Sequence, residues 1–595
     1  MKKRIVAVDI ECYSNYFLIL CKSHDGTTYK LSTFNDTIYE GEPKVLRSIL
    51  RNHLIVTFNG NGYDLPMIAA YLAGYNNYQL KQLSDEIILG DKPFWMISSG
   101  HPKVRIPQMD HIDLTGVTPL QASLKTYMCR IHAPKMQDLP IHPDQPIEPH
   151  QVAILETYCE NDVDGTLQVY DTLLKQIELR EQMATKYEQD MRSMSDAQIA
   201  EAAIRKMLND ADVPVDKRTS KVKPFKFKMP DFIQFEDPEL NKIKELVTNA
   251  TFKTKESGHA ELPEEISLAI PYDGASYKLG VGGIHSQEKR QVVIPTEDQL
   301  LGEFDVASMY PSIILGQSLY PSHLGEEFCE VYRTIFDTRL EAKANGNKTV
   351  ADTLKIVLNS SYGKFGSKYS FLYSPELLVQ TTLSGQLALL MLIERLTVAG
   401  AKIVSANTDG VVALFDKDKW DDMLAVTNQW TEETTYVLEW TGYDAMYSRD
   451  VNSYVAFKGD EVKTKGGYEY GSIRKGYATE VCLDAVIAYL RDGTDPATVI
   501  ESETDIRKFL TMRGVRGGAV WQGQELGKVV RWYNSLHGEP IRYRTNGNKV
   551  AGSDGARPLM DLPVALPSDI DYDWYVTRCV KLLKDLGVNY AVHTA

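Results

Sequence analysis

The sequence has few features of a membrane or secreted protein. No apolar run is expected to span a bilayer. Asp9 and Glu11 interrupt the one early stretch that would otherwise suggest a signal peptide. The seven cysteines are scattered and form no Cys-x-x-Cys pair, which disfavours a zinc or iron–sulfur module and fits reduced thiols. We therefore expect a cytoplasmic protein.

Internal repeats, low-complexity tracts and a basic overall charge are also absent. The net charge of −15 disfavours a general affinity for nucleic acid. Lysines, arginines and aromatic residues nevertheless cluster between Arg507 and Lys549. Such a segment fits a solvated face and a nucleic-acid surface equally well. Composition alone therefore leaves nucleic-acid binding open.

The length of 595 residues exceeds what one hydrophobic core supports, so several domains are expected. Apolar segments at 5–10 and 54–58, followed by a helical pattern from 154 into the 180s, predict an α/β unit. A Pro- and Lys-rich passage at 212–238 predicts a connector. A mixed α/β region then extends to about residue 480.

A first set of acidic residues lies in the predicted α/β unit. Asp9 and Glu11 alternate on a strand and so share one face. Asp64 follows a Gly-rich turn, and Tyr158 and Asp162 are four residues apart on a helix. Each feature alone also fits a surface acid, an Asx-type turn or an ordinary amphipathic helix. Together, four carboxylates could hold two Mg²⁺ ions about 3.5–4 Å apart, the arrangement that hydrolyses phosphodiesters.

A second acidic pair lies further along the chain. Asp305 ends a predicted strand that breaks at Pro311. Two β-rich runs within 401–414 flank Asp409-Gly410, which predicts a hairpin with Asp409 at its tip in an Asp-Gly turn. A solvated Asp at a hairpin tip would also serve turn chemistry alone, so the hairpin by itself does not decide between the two.

Between these acids the pattern predicts a helical hairpin that turns at Gly346-Asn347. Its first arm presents two cations, Arg339 and Lys343, on one face. Its second arm presents a cation, an amide and a phenol on one face, namely Lys355, Asn359 and Tyr362. A cationic helix face is usually solvated. The second arm is too apolar to be a typical solvated helix, which favours a directed role for its polar face.

In this order the segments resemble the six motifs of family B DNA polymerases that carry a 3′→5′ proofreading exonuclease. The exonuclease motifs are matched by Asp9/Glu11, Asn59/Asp64 and Tyr158/Asp162. The polymerase motifs are matched by Asp305-x-x-Ser-Met-Tyr-Pro-Ser, Lys355-x-x-x-Asn-Ser-x-Tyr-Gly and Asn407-Thr-Asp409. The resemblance spans residues 9 to 410. It implies a template-directed DNA polymerase that extends a primer 3′-hydroxyl with dNTPs and proofreads.

The resemblance also implies roles for individual residues. In the exonuclease, the metal ligands would be Asp9, Glu11, Asp64 and Asp162, with Tyr158 positioning water and Asn59 contacting the frayed strand. In the polymerase, the metal ligands would be Asp305, Asp409 and the Val306 carbonyl. The triphosphate would be bound by Arg339, Lys343 and Lys355. Lys355 would also donate a proton to the leaving group. Each site would use two Mg²⁺ ions, with Mn²⁺ as an alternative.

Other matched positions would contact the nucleotide or the DNA. Tyr310 would exclude a 2′-hydroxyl, and Asn359 and Tyr362 would shape the base-pair pocket. The remaining expected DNA contacts are Lys463, Lys465, Gly466, Gly282 and Gly283.

The implied fold is an α/β and α+β multidomain chain, with an RNase H-like exonuclease ahead of a right-handed palm, fingers and thumb. The expected boundaries are 1–185 for the exonuclease, 186–270 for a helical and basic connector, 271–335 for the first part of the palm, 336–365 for the fingers hairpin, 366–480 for the second part of the palm, and 481–595 for the thumb and C-terminal region.

The sequence departs from the family pattern at two places. Asn407 replaces the first Asp of the last motif, and the Gly280-Val281-Gly282-Gly283 segment lacks the family's tyrosine. Two alternatives stay open: a primer-independent primase-polymerase, and an exonuclease or DNA-binding protein whose polymerase site has decayed, with Asn407 as its symptom.

Compactness guides the remaining expectations. The chain between Tyr310 and Lys355 is too short for a further domain beside the helical hairpin, and so is the chain between Gly363 and Asn407. This disfavours protein priming. The position of the first motif leads us to expect no domain ahead of the exonuclease. We expect a monomeric phage enzyme in the host cytoplasm that binds primer–template DNA and dNTPs, has no membrane contact, and acts beside a helicase, primase or single-strand-binding protein.

Overall fold

The computed structural model describes residues 3–90, 92–215 and 222–590, and part of the predicted basic connector, 216–221, lies outside this range. The chain divides into two compact units. The first comprises Met1–Ser195 and Tyr470–Arg578, and the second comprises Asp196–Glu469 and Cys579–Ala595. The chain is thus mixed α/β and multidomain, and the finer boundaries within each unit stay predictions.

The N-terminal part of the first unit is built on one mixed sheet. Its elements are β1 Ile5–Cys12, β2 Tyr16–Ser23, β3 Thr28–Phe34, β4 Thr37–Glu40, α1 Pro43–Asn52, β5 Leu54–Thr57, α2 Asp64–Leu72, α3 Asn77–Ile88, α4 Phe94–Ile97, β6 Asp110–Asp113, α5 Leu114–Val117, α6 Leu124–Arg130, α7 Val152–Thr172 and α8 Leu174–Tyr187. The strand order is β4-β3-β2-β1-β5-β6. Strands β1 to β4 pair antiparallel, whereas β5 and β6 continue parallel to β1.

This sheet is buried on both faces, which is why β1 is nearly continuously apolar. Alternate residues of β1 belong to different cores, with Val8 on one side and Ala7 on the other. The Ala7 side packs against α7 through Leu155 and Val163. Asp9 and Glu11 follow Ala7 at two-residue steps and therefore lie on the face that α7 covers.

The second unit begins with α9 Asp196–Asp210, α10 Pro238–Asn249, β7 Lys253–Thr254, β8 Ala260–Glu261, β9 Ala269–Tyr272, β10 Ala275–Lys278, β11 Ile284–Ser286, β12 Gln291–Val293, β13 Gln299–Val306, α11 Met309–Gly316, α12 Glu327–Ala344 and α13 Lys348–Lys364. It continues with α14 Pro375–Val398, β14 Lys402–Thr408, β15 Gly410–Asp416, α15 Trp420–Thr434, β16 Leu438–Tyr443, β17 Ala445–Asp450, β18 Ser453–Lys458 and β19 Glu461–Lys465.

Its main sheet is antiparallel, in the order β16-β13-β15-β14-β11-β10-β9. A second antiparallel sheet has the order β12-β17-β18-β19. The helix α14 packs in the core with α11 and with the main sheet, where Leu383 and Leu387 join Ile313 and Val411. The helices α12 and α13 form the predicted hairpin, and α9 packs against both.

The helix α14 is the one described helix that is long and apolar enough to cross a membrane, with a mean hydropathy of 1.4 over its best window. The expectation that no apolar run would reach this length was wrong. Because 83% of that window is buried inside the protein, its apolar character is explained by its place in the core.

The C-terminal segment contains α16 Glu480–Asp492, α17 Pro496–Ser502, α18 Ile506–Phe509, β20 Thr511–Trp521, β21 Gln524–Asn534, β22 Arg542–Tyr543, β23 Ala556–Pro558 and α19 Tyr572–Asp585. Its sheet, β22-β20-β21-β23, joins the first unit through the fully buried Arg531. The Arg531 guanidinium donates to the carbonyls of Ala133, Pro134, Leu559 and Met560. A buried guanidinium requires such partners, so this contact holds the sheet within the first unit.

Two local predictions were wrong in detail. The strand before Pro311 ends at Val306, and Pro311 lies in the first turn of α11, where its missing N–H costs no helical hydrogen bond. The β14–β15 turn consists of Thr408 and Asp409, because Asn407 pairs with Gly410. Thr408, with φ of 59°, takes the left-handed position, and Asp409 is still at the tip as predicted.

Candidate active sites

The first candidate site assembles the predicted exonuclease acids on one side of β1. Asp9 and Glu11 lie on the strand, Asp162 lies on α7, and Asp64 is the first residue of α2. The Cys159 thiol donates to Asp9 Oδ2 at 3.6 Å. One ligand atom from each of Asp9, Glu11 and Cys159 lies within 4.8 Å of the others. The structure thus brings together acids that are up to about 150 residues apart.

These carboxylates repel one another in a buried setting. Burial, with the charge of Asp162, raises the pKa of Asp9 to about 7. Burial, with the charges of Asp9 and Asp162, raises the pKa of Glu11 well above its usual value. Burial, followed by the charge of Asp9, also raises the pKa of Asp64 well above its usual value. The site therefore carries an excess of negative charge that a cation would neutralise.

Lys125 is a basic residue in this site that the motif pattern did not predict. Its ammonium forms an ion pair with Asp162 and lies 4.4 Å from the centre of the Tyr158 ring. It opposes the effect of burial on the pKa of Asp162. Lys125 comes from α6, so no spacing within the strand or helix motifs could have identified it.

Asp113 is a second residue that sequence reasoning missed. Its carboxylate accepts the N–H groups of Asn59 and Asn61, each at 2.9 Å, and so shapes the turn that leads into α2. Asn59 has φ of 68°, and a Cβ at Gly60 would lie 2.0 Å from the Thr57 hydroxyl. The predicted Gly-rich turn is therefore required by close packing, while the contact of Asn59 with DNA stays a prediction.

The second candidate site lies where β13 meets the β14–β15 hairpin. Asp305 pairs with Gly410 across the strands, and the Val306 N–H donates to the Asp409 carbonyl at 2.8 Å. A Cβ at Gly410 would lie 2.9 Å from Glu303 Oε1 and 3.1 Å from Asp305 Oδ1. Glycine at position 410 therefore keeps space open between the carboxylates. Glu303, Asp305 and Asp409 all line a cavity of about 440 Å³.

The carboxylates of this second site are also mutually repulsive. Burial, then Asp409 and Glu303, raises the pKa of Asp305 to about 7. Burial outweighs a backbone hydrogen bond and raises the pKa of Asp409 as well, with a further contribution from Glu303. Lys463 lowers the pKa of both aspartates but does not cancel the effect of burial. The second site thus also has surplus negative charge.

Glu303 was not among the predicted site residues. Its Oε2 accepts hydrogen bonds from the Lys463 ammonium at 2.7 Å and from the Tyr443 hydroxyl at 2.6 Å. The available signal was its spacing, because Glu303-x-Asp305 repeats the alternation of Asp9-x-Glu11 and puts both acids on one strand face.

Two predicted nucleotide-binding tyrosines stack next to these acids. The rings of Tyr310 and Tyr362 lie 3.9 Å apart with an interplanar angle of 7°. The Tyr310 hydroxyl donates to the Gly282 carbonyl at 2.6 Å, and Tyr362 forms a hydrogen bond with Thr382. The charge of Asp409, after burial, raises the pKa of Tyr310 to about 12, which indicates that the phenol lies near the acids.

Two cations of the helical hairpin lie at the Asp305 end of the sheet. Arg339 Nη1 donates to the Ser308 hydroxyl at 2.7 Å, three residues after Asp305. Lys343 is 3.5 Å from Glu439, which pairs with Asp305 across β13 and β16.

The other two polar residues of the hairpin are less constrained. The Lys355 and Asn359 side chains are exposed on α13 and, within the described part of the chain, form no hydrogen bond or ion pair. Their predicted contacts with nucleotide therefore stay predictions.

The departure at position 407 has a structural reason. The Asn407 amide donates to the Val451 carbonyl at 3.2 Å, and its Oδ1 accepts from the Thr408 hydroxyl at 3.0 Å. A carboxylate could accept from Thr408 but could not donate to Val451. The amide thus ties the hairpin tip to the turn between β17 and β18.

Two of the three predicted DNA-contacting glycines occupy sites of close backbone approach. A Cβ at Gly283 would lie 2.9 Å from Thr408 Cα, and a Cβ at Gly466 would lie 2.0 Å from the Asn452 carbonyl. By contrast, Gly282 has open space around it. Lys465 lines the same cavity as Asp409. The packing explains two of the glycines, while DNA contact stays a prediction for all of these residues.

No family model matches this chain, and no curated protein matches it. Among solved structures, the chain is similar to the family B DNA polymerase from the hyperthermophilic archaeon Pyrobaculum calidifontis, with 13% sequence identity and a TM-score of 0.40. The similarity covers 100% of this chain and 79% of that chain. A TM-score of 0.40 carries no argument about this chain, so function is inferred from the two acidic sites themselves.

Proposed function

We propose that this chain is a template-directed DNA polymerase that extends a primer 3′-hydroxyl with dNTPs and removes mispaired ends with a 3′→5′ exonuclease. The observation that carries the proposal is the meeting of Asp305 and Asp409. These acids are about 100 residues apart in sequence, yet they line one cavity at the end of β13 and the tip of the hairpin. A pair of stacked tyrosines lies beside them.

The donor set of each site fits magnesium. Each cluster offers carboxylate oxygens, the hard ligands that Mg²⁺ prefers, in a setting where the pKa of at least one carboxyl is raised to about 7 by burial and repulsion. Mg²⁺, or Mn²⁺ in its place, would be held by Asp305, Asp409 and the Val306 carbonyl in one site, and by Asp9, Glu11, Asp64 and Asp162 in the other. Bound there, the ions would activate the attacking oxygen and neutralise charge on the leaving group.

The chain's own residues would orient the incoming nucleotide. Arg339 and Lys343, near the Asp305 end of the sheet, would bind the triphosphate together with Lys355. Lys355 would donate the proton that the pyrophosphate takes up on leaving. The Tyr310 ring would lie under the sugar and exclude a 2′-hydroxyl, because its stack on the Tyr362 ring limits its movement.

In the exonuclease site, the residues of α7 would act on the attacking water. The Tyr158 hydroxyl would orient that water, since Tyr158 and Asp162 lie one turn apart on the helix. Lys125 would offset part of the negative charge and hold Asp162 in place. A terminal nucleotide would enter beside Asn59, whose side chain is exposed.

We further propose primer–template DNA and dNTPs as the binding partners, a monomeric state, and replication of a phage genome in the host cytoplasm. A right-hand arrangement of palm, fingers and thumb is proposed for the polymerase. An RNase H-like exonuclease is proposed for the N-terminal part, which the mixed sheet of β1 to β6 supports.

Single-nucleotide incorporation on defined templates tests the polymerase proposal. The purified protein would be given Mg²⁺, a labelled primer and four templates that differ only at the first unpaired base. We expect incorporation of the complementary dNTP in each case and none by Asp409→Asn. Incorporation independent of the template base would contradict template direction. Synthesis on a bare template without primer would instead favour a primase-polymerase.

A further inference from the structure

Glu303 occupies a position from which it could complete the polymerase site. Its Oε1 and the Asp305 Oδ1 both approach the Gly410 backbone, at 2.9 Å and 3.1 Å from the point where a Cβ would lie. The two oxygens are therefore within about 6 Å of one another, which is a span that a single hydrated cation can bridge. Glu303 also lines the cavity that holds Asp305 and Asp409.

The opposite oxygen of Glu303 is held by two donors. Oε2 accepts from Lys463 at 2.7 Å and from Tyr443 at 2.6 Å, and the Lys463 ammonium also contacts the Tyr443 hydroxyl at 3.0 Å. The Tyr443 contact is neutral and would persist whatever occupies the cavity. The Lys463 contact is charged, and the Lys463 side chain is 48% exposed, so a phosphate from solvent could reach the ammonium.

We propose that Glu303 is the third carboxylate of the polymerase site, and that Lys463 is its exchangeable counter-cation, released when a primer phosphate binds the lysine. This inference rests on the proposed polymerase function. Position 407 supplies no third acid, because it is an asparagine, and its amide donates to the Val451 carbonyl. Glu303 would therefore provide the charge that the motif loses at Asn407.

The arrangement couples DNA binding to metal binding. Without DNA, Lys463 neutralises Glu303 and competes with a divalent cation for it. With primer bound, Lys463 pairs with phosphate and Glu303 is free to face the metal. By linkage, the metal must tighten primer binding by the same factor by which primer tightens metal binding. The site would then be fully assembled only on its substrate.

The test measures Mn²⁺ binding without DNA by electron paramagnetic resonance of the free ion. All proteins would carry Asp9→Ala and Asp162→Ala to disable the other metal site. We expect Lys463→Met to tighten Mn²⁺ binding by about tenfold, the range typical of coupled sites. Lys465→Met is the matched control, because it removes the same charge from the same strand and lines the same cavity without contacting Glu303. We expect Lys465→Met to tighten Mn²⁺ binding about fivefold less than Lys463→Met does.

A double-mutant cycle identifies the partner of Lys463. In a Glu303→Gln background, which keeps an oxygen for Tyr443, the two lysine variants should change Mn²⁺ affinity equally. Two outcomes would overturn the inference. In one, both lysine variants change Mn²⁺ affinity equally when Glu303 is present. In the other, Lys463→Met still has the larger effect on Mn²⁺ affinity after Glu303→Gln.

The release of Lys463 to DNA is tested by measuring the binding of a dideoxy-terminated primer–template in EDTA. We expect Glu303→Gln to tighten this metal-free binding by releasing Lys463, and to do so more than Glu439→Gln, another acid near Asp305. No difference between the two variants would overturn the exchange. Primer extension by the wild-type chain separates this failure from failure of the proposed function, because a polymerase without the exchange would still extend.

Discussion

The Asn407 amide donates a hydrogen bond to the Val451 carbonyl at 3.2 Å, which fixes the tip of the β14–β15 hairpin against the next sheet. The motif predicted an acid at this position, and the amide there suggested a decaying site. The contact instead gives the amide at 407 a structural use as a hydrogen-bond donor. The loss of the motif acid is therefore consistent with an intact site at Asp305 and Asp409.

Replacing Asn407 with Asp should destabilise the protein. The variant removes the donor to Val451 and sets a carboxylate against a carbonyl oxygen, so we expect a loss of about 1–3 kcal/mol in the free energy of unfolding. Urea unfolding would measure this, with Asn407→Ala as the control that removes the donor without adding charge. We expect the Asp variant to be the less stable of the two. An Asp variant as stable as wild type would show that the contact does not matter.

Tyr310 should control sugar selection through its ring. Tyr310→Ala should incorporate ribonucleotides at least about tenfold more readily relative to dNTPs, since the barrier to a 2′-hydroxyl is lost. Tyr310→Phe removes only the hydrogen bond to Gly282 and keeps the stack on Tyr362, so it should retain most of the discrimination. Relative kcat/KM for a matched rNTP and dNTP is the measurement. Unchanged selectivity in Tyr310→Ala would remove Tyr310 from this role.

Gly410 should be essential for the polymerase site because of space rather than charge. Ala at 410 would bring a methyl group to 2.9 Å from Glu303 and 3.1 Å from Asp305, so a cation could no longer approach both. We expect primer extension to fall by at least about a hundredfold, with shortening of the primer retained. Gly100→Ala, where a Cβ meets nothing within 4 Å, is the control for the substitution itself. Normal extension by Gly410→Ala would show that the site is elsewhere.

Stability without metal should fall as pH rises. The pKa values of Asp9 and Asp305 are raised to about 7 in the folded chain, from the usual value near 4. Between about pH 4 and pH 7 the folded state holds protons that the unfolded state has released, so rising pH removes this stabilisation. In EDTA we expect Tm to decrease from pH 5 to pH 8 more in wild type than in Asp9→Asn/Asp305→Asn.

Added Mg²⁺ should reverse this trend. At pH 8 the carboxylates are ionised and bind the cation, whereas at pH 5 protons compete with it. We therefore expect Mg²⁺ to raise the wild-type Tm at pH 8 and to change it little at pH 5. The double variant should respond less at pH 8. An equal response of both proteins would mean that neither acid contributes to metal binding.

Local pattern was sufficient for part of this structure. The alternation of Asp9 and Glu11 on a strand, the Tyr158–Asp162 spacing on a helix and the tip position of Asp409 are all short-range features, and each was found as predicted. The helical hairpin was also predicted from its turn, between α12 and α13.

Several features that the sequence did not reveal depend on contacts between distant segments. Lys125 reaches Asp162 from a separate helix, and Asn407 meets Val451 44 residues further along the chain. The register of the hairpin turn also differed by one residue, because the pairing of Asn407 with Gly410 outweighed the usual preference for an Asp-Gly turn. Tertiary packing decides such features, and single-sequence patterns do not contain it.

The most direct measurement compares Asp409→Ala and Asp9→Ala on one end-labelled primer–template in Mg²⁺, with and without dNTPs. The two-site account predicts that Asp409→Ala shortens the primer but does not extend it, and that Asp9→Ala extends it but does not shorten it. Shortening without extension by the wild-type chain would contradict the account, as would loss of both activities in either variant.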